Sequence, residues 1–525
     1  MKVAIILGSI GFVLVVMLVV GVVAVHVAAV EAVQENNSGL AAYNRGDLDT
    51  ALADYNSALT FNPFLAVAYS NRGLVEYSRN DYDKAIADYN ESISLDAQDS
   101  KAFNNRAMAR EKKGDTAGAM ADYDRSVELD PKWATVLGNR ASLRDDLGDL
   151  DGAMSDYNQS LAQEPDDASN LNNRGLVEYK QQKYDAAIAD YDKSISLNAQ
   201  DAKAYNNRAM AKEKKGDTDG AMADYGKSIA LDPKYSDVLA NRGSLRDDKG
   251  DLDGAMTDYN QALALNPNDG NALNNRGLVE YKKNDLVTAI ADYTAALKID
   301  PDDATVYLNR AMAEEKKGDW DHALDDYNST LQRKPTPDVL ADRGWIEFVK
   351  GDTRSALTDY DQTVLETPNE PGVYLDRAYA RYASGQSAGA AADFQKAIDL
   401  KDTDVVYPRY FLSLIRREKP GEKGAAITDL HAFLATQGNL YPWPRAVGQF
   451  LTGESSEADF IAAAKDDDAL KDSQQHCEAY FYAGIVRELN GDKAGAAGLY
   501  RKSVATGVQR YSEYQIARAR LAGEK

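Results

Sequence analysis

The sequence predicts an all-α solenoid, and three observations carry that prediction. Asp-Tyr begins at Asp54, Asp88, Asp122, Asp156, Asp190, Asp224, Asp258, Asp292 and Asp326, always 34 residues apart, which is the period of a two-helix repeat. Within each period a turn residue recurs at a fixed place, as Gly114, Gly148, Gly216, Gly250 and Gly318, or as Asn80 and Asn284. Proline recurs at another, as Pro63, Pro131, Pro165, Pro233, Pro267, Pro301 and Pro335, where it ends a helix by removing a backbone donor. Such an array buries its core between neighbouring units and presents a long surface, so its expected function is binding and no enzyme activity is expected.

Composition narrows the partners. A chain of 525 residues would ordinarily divide into several globular domains, but a solenoid grows linearly. The 83 acidic and 60 basic residues give a net charge of -23, which disfavours nucleic acid and an anionic membrane surface and suits basic or neutral protein partners. The single cysteine, Cys477, allows neither an intramolecular disulfide nor a thiolate zinc site, and reads as a small buried hydrophobe. His26, His322, His431 and His476 are scattered, and no phosphate-cradling glycine loop or His-Glu-x-x-His occurs, so neither catalytic residue, metal nor cofactor is expected.

Residues 1–31 form the first element, a membrane anchor or signal segment. Val3 to Val30 carries no charge and exceeds the ~20 residues that span a bilayer and the roughly 7–15 of a signal-peptide apolar core. Lys2 precedes the segment while Glu31 and Glu35 follow it, which places the repeats outside the cytoplasm. Cleavage near Val27-Ala28-Ala29 would instead release a secreted protein.

Residues 32–438 form a tandem array of about twelve units, with a one-residue deletion near Pro335 to Pro337 and a looser unit around Asp404 to Thr436. Asp83, Asp151, Asp185, Asp219, Asp253 and Asp321 stand where the N-cap of each second helix is expected. Small residues recur in the first helix (Gly73, Ala107, Gly175, Ala209, Gly277) and in the second (Ala85, Ala119, Ala153, Ala187, Ala221), allowing close helix approach. Residues 439–476 read as an irregular helical insert around Pro442-Trp443-Pro444 and Asp466-Asp467-Asp468, with Glu457 to Ala464 a short helix. Gly484, Gly491, Ala496 and Tyr500 restore the pattern over 477–510, and 511–525 reads as a capping helix.

With its small, Gly, Ala, aromatic and Pro positions filled in this way, the chain resembles the tetratricopeptide repeat family. The resemblance implies a right-handed superhelix whose first helices line a concave groove that holds peptides or partner helices. It also implies that Asn71, Asn105, Asn139, Asn173, Asn207, Asn241, Asn275 and Asn309 face that groove, where amides would hold an extended backbone; the alternative is that they cap turns between units. Six residues further along the first helix stand Tyr77, Tyr179 and Tyr281, then Glu111-Lys112 and its copies, then Asp145-Asp146 and Asp247-Asp248. These rungs suit a ligand with spaced apolar and basic groups, or else form a solvated face copied by duplication. Duplication is plain: Asn-Arg-Gly-Leu-Val-Glu-Tyr begins at Asn71, Asn173 and Asn275, a period of 102 residues.

Arg72, Arg106, Arg140 and their successors share the period of the Asp-Tyr carboxylates, and each is expected to pair with the Asp of the preceding unit, Arg72 with Asp54. The carboxylate clamp of a chaperone-binding subgroup is only half present, since Lys101 and Asn105 fit it but Ser70 and Leu74 do not. Towards the tail, Trp443-Pro444-Arg445-Ala446-Val447, Leu451-Thr452-Gly453 and Glu478 to Gly484 are similar to bacterial periplasmic repeat lipoproteins. That similarity implies a bacterial periplasm as the place of the repeats and envelope proteases or cell-wall hydrolases as partners, although no cysteine follows the apolar segment here to carry lipid. The function expected is a non-catalytic scaffold or adaptor, with a structural spacer or self-assembling element as the alternative.

Overall fold

The computed structural model describes residues 2–400 and 405–523, without the side chains of 2–16 and 18–22. Among the described residues there are 29 helices and no strand. They fall into two compact units, residues 1–245 and 246–525. The side chains that would make an anchor of Val3 to Val30 lie largely outside the described residues, as does Asp404 of the looser repeat. Among the described residues no helix is long and apolar enough to cross a membrane.

The first unit begins with one helix, Lys2–Asn44, whose end packs as the first helix of the first repeat, with Ala42 buried against Ala51, Tyr55 and Val75. Helix pairs follow, Ala66–Ser78 with Tyr82–Leu95, Ser100–Lys112 with Thr116–Leu129, and so on. Gly114, Gly148, Gly216 and Gly250 and the non-glycine Asn80 and Asn284 take positive φ between the two helices, as their spacing predicts.

Each core is shared between successive repeats. Ala107, Ala119 and Tyr123 of one repeat pack with Val136 and Leu143 of the next, and Ala141, Ala153 and Tyr157 pack with Val177. No repeat could bury its own tyrosine alone, which is why the array stabilises only as a stack. The first-helix small position is set by the ring it meets. A Cβ on Gly73 would lie 2.8 Å from Tyr89 Cε1, and the ring is fully buried.

In the repeat that carries Ala107 instead, the Tyr123 hydroxyl donates to Glu111 at 3.1 Å. Position 77 offers tyrosine there, and Tyr89 finds no partner for its hydroxyl among the described residues. Gly73→Ala is therefore expected to lose about 1–2 kcal/mol, as overpacking of ~1–3 outweighs the ~1 gained in helix propensity. Adding Tyr77→Glu re-creates the neighbouring arrangement and should restore much of it. Circular-dichroism melting of the single and double variants decides this, and an unchanged midpoint in Gly73→Ala would sink the fit argument.

Two expectations about charged residues need correcting. Asp83, Asp151, Asp185, Asp253 and Asp321 lie inside the first helical turn, because the helices start two residues before the expected point. The capping carboxylates are Asp81, Asp149, Asp217 and Asp251, each accepting from a backbone N–H three residues on. The displaced set instead reaches across the surface to the next repeat, as Asp253 does to Lys283 at 2.6 Å, an exposed pair of small worth. Asp219, the remaining member, also stands in the first turn.

The arginine ladder runs within each repeat, not back to the previous one. Arg72 donates Nε and Nη2 to both oxygens of Asp88, at 2.8 and 2.6 Å. Antiparallel packing of the two helices sets residues sixteen apart face to face. Its third nitrogen does reach the preceding repeat, but at Asn56 rather than Asp54, 2.8 Å away. Arg106, Arg140, Arg208 and Arg377 repeat both contacts, to Asn90, Asp124, Asp192 and Asp361 respectively. In the first repeat, which has Ser38 in place of the arginine, the hydroxyl donates to Asp54 of its own repeat at 2.7 Å.

The carboxylate often has a second cation one helical turn further on. Arg110 reaches Asp122 and Arg144 reaches Asp156, both at 2.8 Å. Where glutamate occupies that place, as Glu178, Glu280, Glu314 and Glu347, burial followed by the adjacent aspartate pushes the carboxyl up to about 7.

In the second unit the stack continues through Ser387–Asp399, and its end is built differently. Tyr382, Phe394, Phe411, Phe481, Tyr482 and Ile516 merge into one larger core. Cys477 lies inside this end, fully buried, and burial pushes its thiol up to about 12.

Candidate functional site

Successive first helices lie side by side in each unit, so their repeated positions form continuous rows. The asparagines make the clearest row. Asn71 Nδ2 donates to Asn36 Oδ1 at 3.0 Å, and Asn139 donates to Asn104 at the same distance. Asn241 donates to Asn206, Asn206 to Asn207, Asn207 to Asn172 and Asn172 to Asn173, at 3.0–3.3 Å. In the second unit Asn309 donates to Asn274 at 2.8 Å and Asn274 to Asn275 at 3.3 Å.

These amides therefore do not cap turns. Asn71, Asn139, Asn207, Asn241 and Asn309 bond across to the neighbouring first helix, each meeting the residue just before its counterpart, whereas Asn105, Asn173 and Asn275 accept from the asparagine before them in their own helix. The row is not saturated. Among the described residues the carbonyl oxygens of Asn71, Asn139, Asn241 and Asn309 accept no hydrogen bond, while the N–H groups of Asn105 and Asn275 donate none. Spare acceptors and donors at the spacing of successive helices are what an extended backbone requires. The inner partners Asn104, Asn172, Asn206 and Asn274 were missed from sequence, although the doublets Asn104-Asn105, Asn172-Asn173, Asn206-Asn207 and Asn274-Asn275 signalled them.

The second row is more occupied by neighbours than its sequence suggests. Tyr77 packs edge-on against Tyr82 with centroids 5.5 Å apart, and Tyr179 tilts against Tyr184 at 5.6 Å. Tyr281 lies 4.5 Å from the Lys316 ammonium. Asp145 accepts from Lys180 and Asp247 from Lys282, each at 2.7 Å, whereas Asp146 and Asp248 are exposed. Glu213 receives the Tyr225 hydroxyl at 3.0 Å. Only the edges of the tyrosines and the outer aspartates remain for a ligand, and the sequence order separates Tyr77 from Tyr179 by two intervening first helices.

In the second unit part of this face is already covered by the chain itself. The turn before helix Ser512–Ala522 sets Gln509 against Trp320 Nε1 at 3.0 Å and Arg510 against Glu315. Arg518 then donates to the backbone carbonyls of Val349 and Phe348 at 2.7 and 3.1 Å in the last turn of helix Pro337–Lys350, where Phe348 also accepts from Gly351. The face thus holds an arginine-bearing segment through glutamate and carbonyl contacts.

Tetratricopeptide models match residues 66–99, 100–132, 134–167, 175–216, 202–235, 240–304, 288–338 and 341–405. The chain belongs to the tetratricopeptide repeat family. Similar solved structures include a tetratricopeptide repeat protein of Parabacteroides merdae, 20% identical over 54% of this chain and 98% of that one, TM-score 0.36. Pseudomonas aeruginosa pilF is 17% identical over 42% of this chain and 99% of its own, TM-score 0.37. YrrB, a tetratricopeptide protein with an unusual peptide-binding site, is 20% identical over 35% and 94%, TM-score 0.30. No curated protein matches the chain. Membership in the tetratricopeptide family supports a protein–protein interaction scaffold.

Proposed function

We propose that the protein is a non-catalytic adaptor that holds extended segments of partner proteins along its first helices, outside the cytoplasm. One observation carries this reading: in the first unit the asparagine row keeps unused carbonyl oxygens at Asn71, Asn139 and Asn241, and the helix that carries Asn139 also bears the exposed carboxylate of Asp146. A peptide with backbone donors and spaced basic side chains complements both.

The uncharged Val3 to Val30 would serve as the anchor, with Lys2 on the cytoplasmic side. Helix Lys2–Asn44 would then join membrane to repeat without a flexible linker, setting the distance of the first repeat from the bilayer. By analogy with the periplasmic lipoproteins that its tail resembles, envelope proteases or cell-wall hydrolases are the partners proposed.

The test is crosslinking of the full chain in intact cells, comparing wild type with an Asn71→Ala, Asn139→Ala, Asn241→Ala variant. A specific partner whose yield drops about tenfold or more in the variant, as loss of ~1.4 kcal/mol would produce, supports the reading. Crosslinks only between copies of the chain would favour the spacer or self-assembling alternative. A partner captured equally by both forms would remove the asparagine row from recognition.

A further inference from the structure

Within the second unit a cavity of about 410 Å³ opens between three first helices and the returning C-terminal segment. Its walls are the rings of Trp345, Tyr379 and Tyr407, with Tyr511 from the C-terminal turn, and its charged lining is mostly acidic: Asp376, Glu478 and Glu513 against Arg510. That volume lies within the range of small-ligand pockets.

The acids differ in how they are used. Glu478 accepts from the Tyr407 hydroxyl at 2.9 Å and Trp443 Nε1 at 3.0 Å. Glu513, 4% exposed, accepts from Tyr482 at 3.2 Å and Ser512 at 3.1 Å. Arg510, the nearby cation, is turned to Glu315 and lies 5.8 Å from the Trp320 ring. Asp376 alone lines the cavity with no hydrogen bond or ion pair among the described residues, and its carboxyl is held up at about 7 by burial and by facing Asp342. Asp342 also lacks a hydrogen bond or ion pair among the described residues, and is itself held up at about 6 by lost solvation, Glu315 and Asp338.

The sequence history of these two positions makes the contrast sharper. Asp342 and Asp376 each precede the ladder arginines Arg343 and Arg377, the place that asparagine holds from Asn71 to Asn309. The place that holds neighbour-bonded amides in earlier repeats holds two mutually repelling carboxyls here, where aromatic rings wall the cavity. Asp376 is half-buried in the cavity wall and Asp342 is exposed beside it, so two like charges stand without a counter-ion, and a bound cation would relieve their repulsion. No group of three or more His, Cys, Asp or Glu among the described residues is placed to hold a metal ion. Aromatic walls suit an organic cation better, through ring-face attraction.

We propose that this cavity binds an ammonium or guanidinium group carried on an apolar body, with its charge against Asp376 and its body between Trp345, Tyr379 and Tyr511. The group could be a free amine or a lysine or arginine side chain of a bound segment, and the two arms of one experiment separate them. Full-length protein in detergent is titrated calorimetrically with benzylamine, with its neutral counterpart benzyl alcohol, and with the terminally blocked peptide Ala-Ala-Lys-Ala-Ala.

Saturable binding of either cation with a Kd on the order of 1 mM or tighter, weakened about tenfold or more by Asp376→Asn and absent for benzyl alcohol, is the expected result. Binding of benzylamine alone marks a free amine, and binding of the peptide marks a side chain. Asp376→Asn removes a repulsion, so it should fold at least as well as wild type, and its melting curve checks this. Tyr511→Ala gives a second reading, weakening the cation without touching the carboxyls. No saturable binding of either cation, equal binding of benzyl alcohol, or unchanged affinity in Asp376→Asn overturns the assignment.

Discussion

Asp156→Ala is expected to destabilise the first unit by about 3–5 kcal/mol, the range for breaking a buried ion pair by removing one partner. Asp156 is 1% exposed and receives Arg140 through two bonds of 2.8 Å and Arg144 through a third. Its loss leaves two largely covered guanidiniums without their shared carboxylate. Arg144 has some refuge at Asp149, 3.7 Å away, and Arg140 in its bond to Asp124, so the lower half of the range is the better expectation.

Asp54 provides the internal control. Its partner is the Ser38 hydroxyl, so Asp54→Ala should cost no more than about 1.5 kcal/mol, the value of an ordinary hydrogen bond. Urea unfolding followed by far-ultraviolet circular dichroism measures both. If the two variants lose the same stability, the arginine ladder is not what holds the helix pairs together.

Removing residues 507–525 should be the second large effect, lowering the stability of the second unit by ~3–6 kcal/mol from the burial of Ile516 and Tyr514 at roughly 1.5–3 each. Ile516 and Ala517 are fully buried within the merged aromatic core, and Tyr514 on the same helix is 7% exposed. The truncation also takes Glu513 from the Tyr482 hydroxyl and Arg518 from the carbonyls of Val349 and Phe348. Hydrogen exchange would report the loss segment by segment. Residues 337–350, 371–383 and 477–489 should open faster, whereas 66–163 should keep their rates. Unchanged exchange in the first three segments would mean that the C-terminal helix merely rests on the face.

Much of this was legible in sequence because a repeat states each rule many times over. The positive-φ turns at Gly114 and Asn80 follow from residue type at one place, and the buried tyrosines follow from the Asp-Tyr period. The partner of each arginine did not follow, since a 34-residue period cannot tell a residue sixteen ahead from one eighteen behind. Packing direction settles that, through antiparallel helices that bring Arg72 to Asp88. The caps were displaced by two residues because Asp81 and Asp83 are equally plausible as types, and only the backbone N–H of Lys84 chooses between them. The covered stretch of the face could not be read at all. Arg518 meets Val349 across 169 residues with no repeat to announce it. What the sequence did display, unremarked, was the exchange of asparagine for aspartate at Asp342 and Asp376.

The tyrosine pairs Tyr77 with Tyr82 and Tyr179 with Tyr184 share one geometry, as do the hydroxyl contacts of Tyr123 with Glu111 and Tyr225 with Glu213. Several contacts of a three-repeat block thus recur 102 residues away. A whole block can be lost or gained by unequal crossing-over with many side chains meeting familiar neighbours at the new seam. Length in this protein is therefore an inheritable setting that selection can change in one step while much of the interface chemistry is kept.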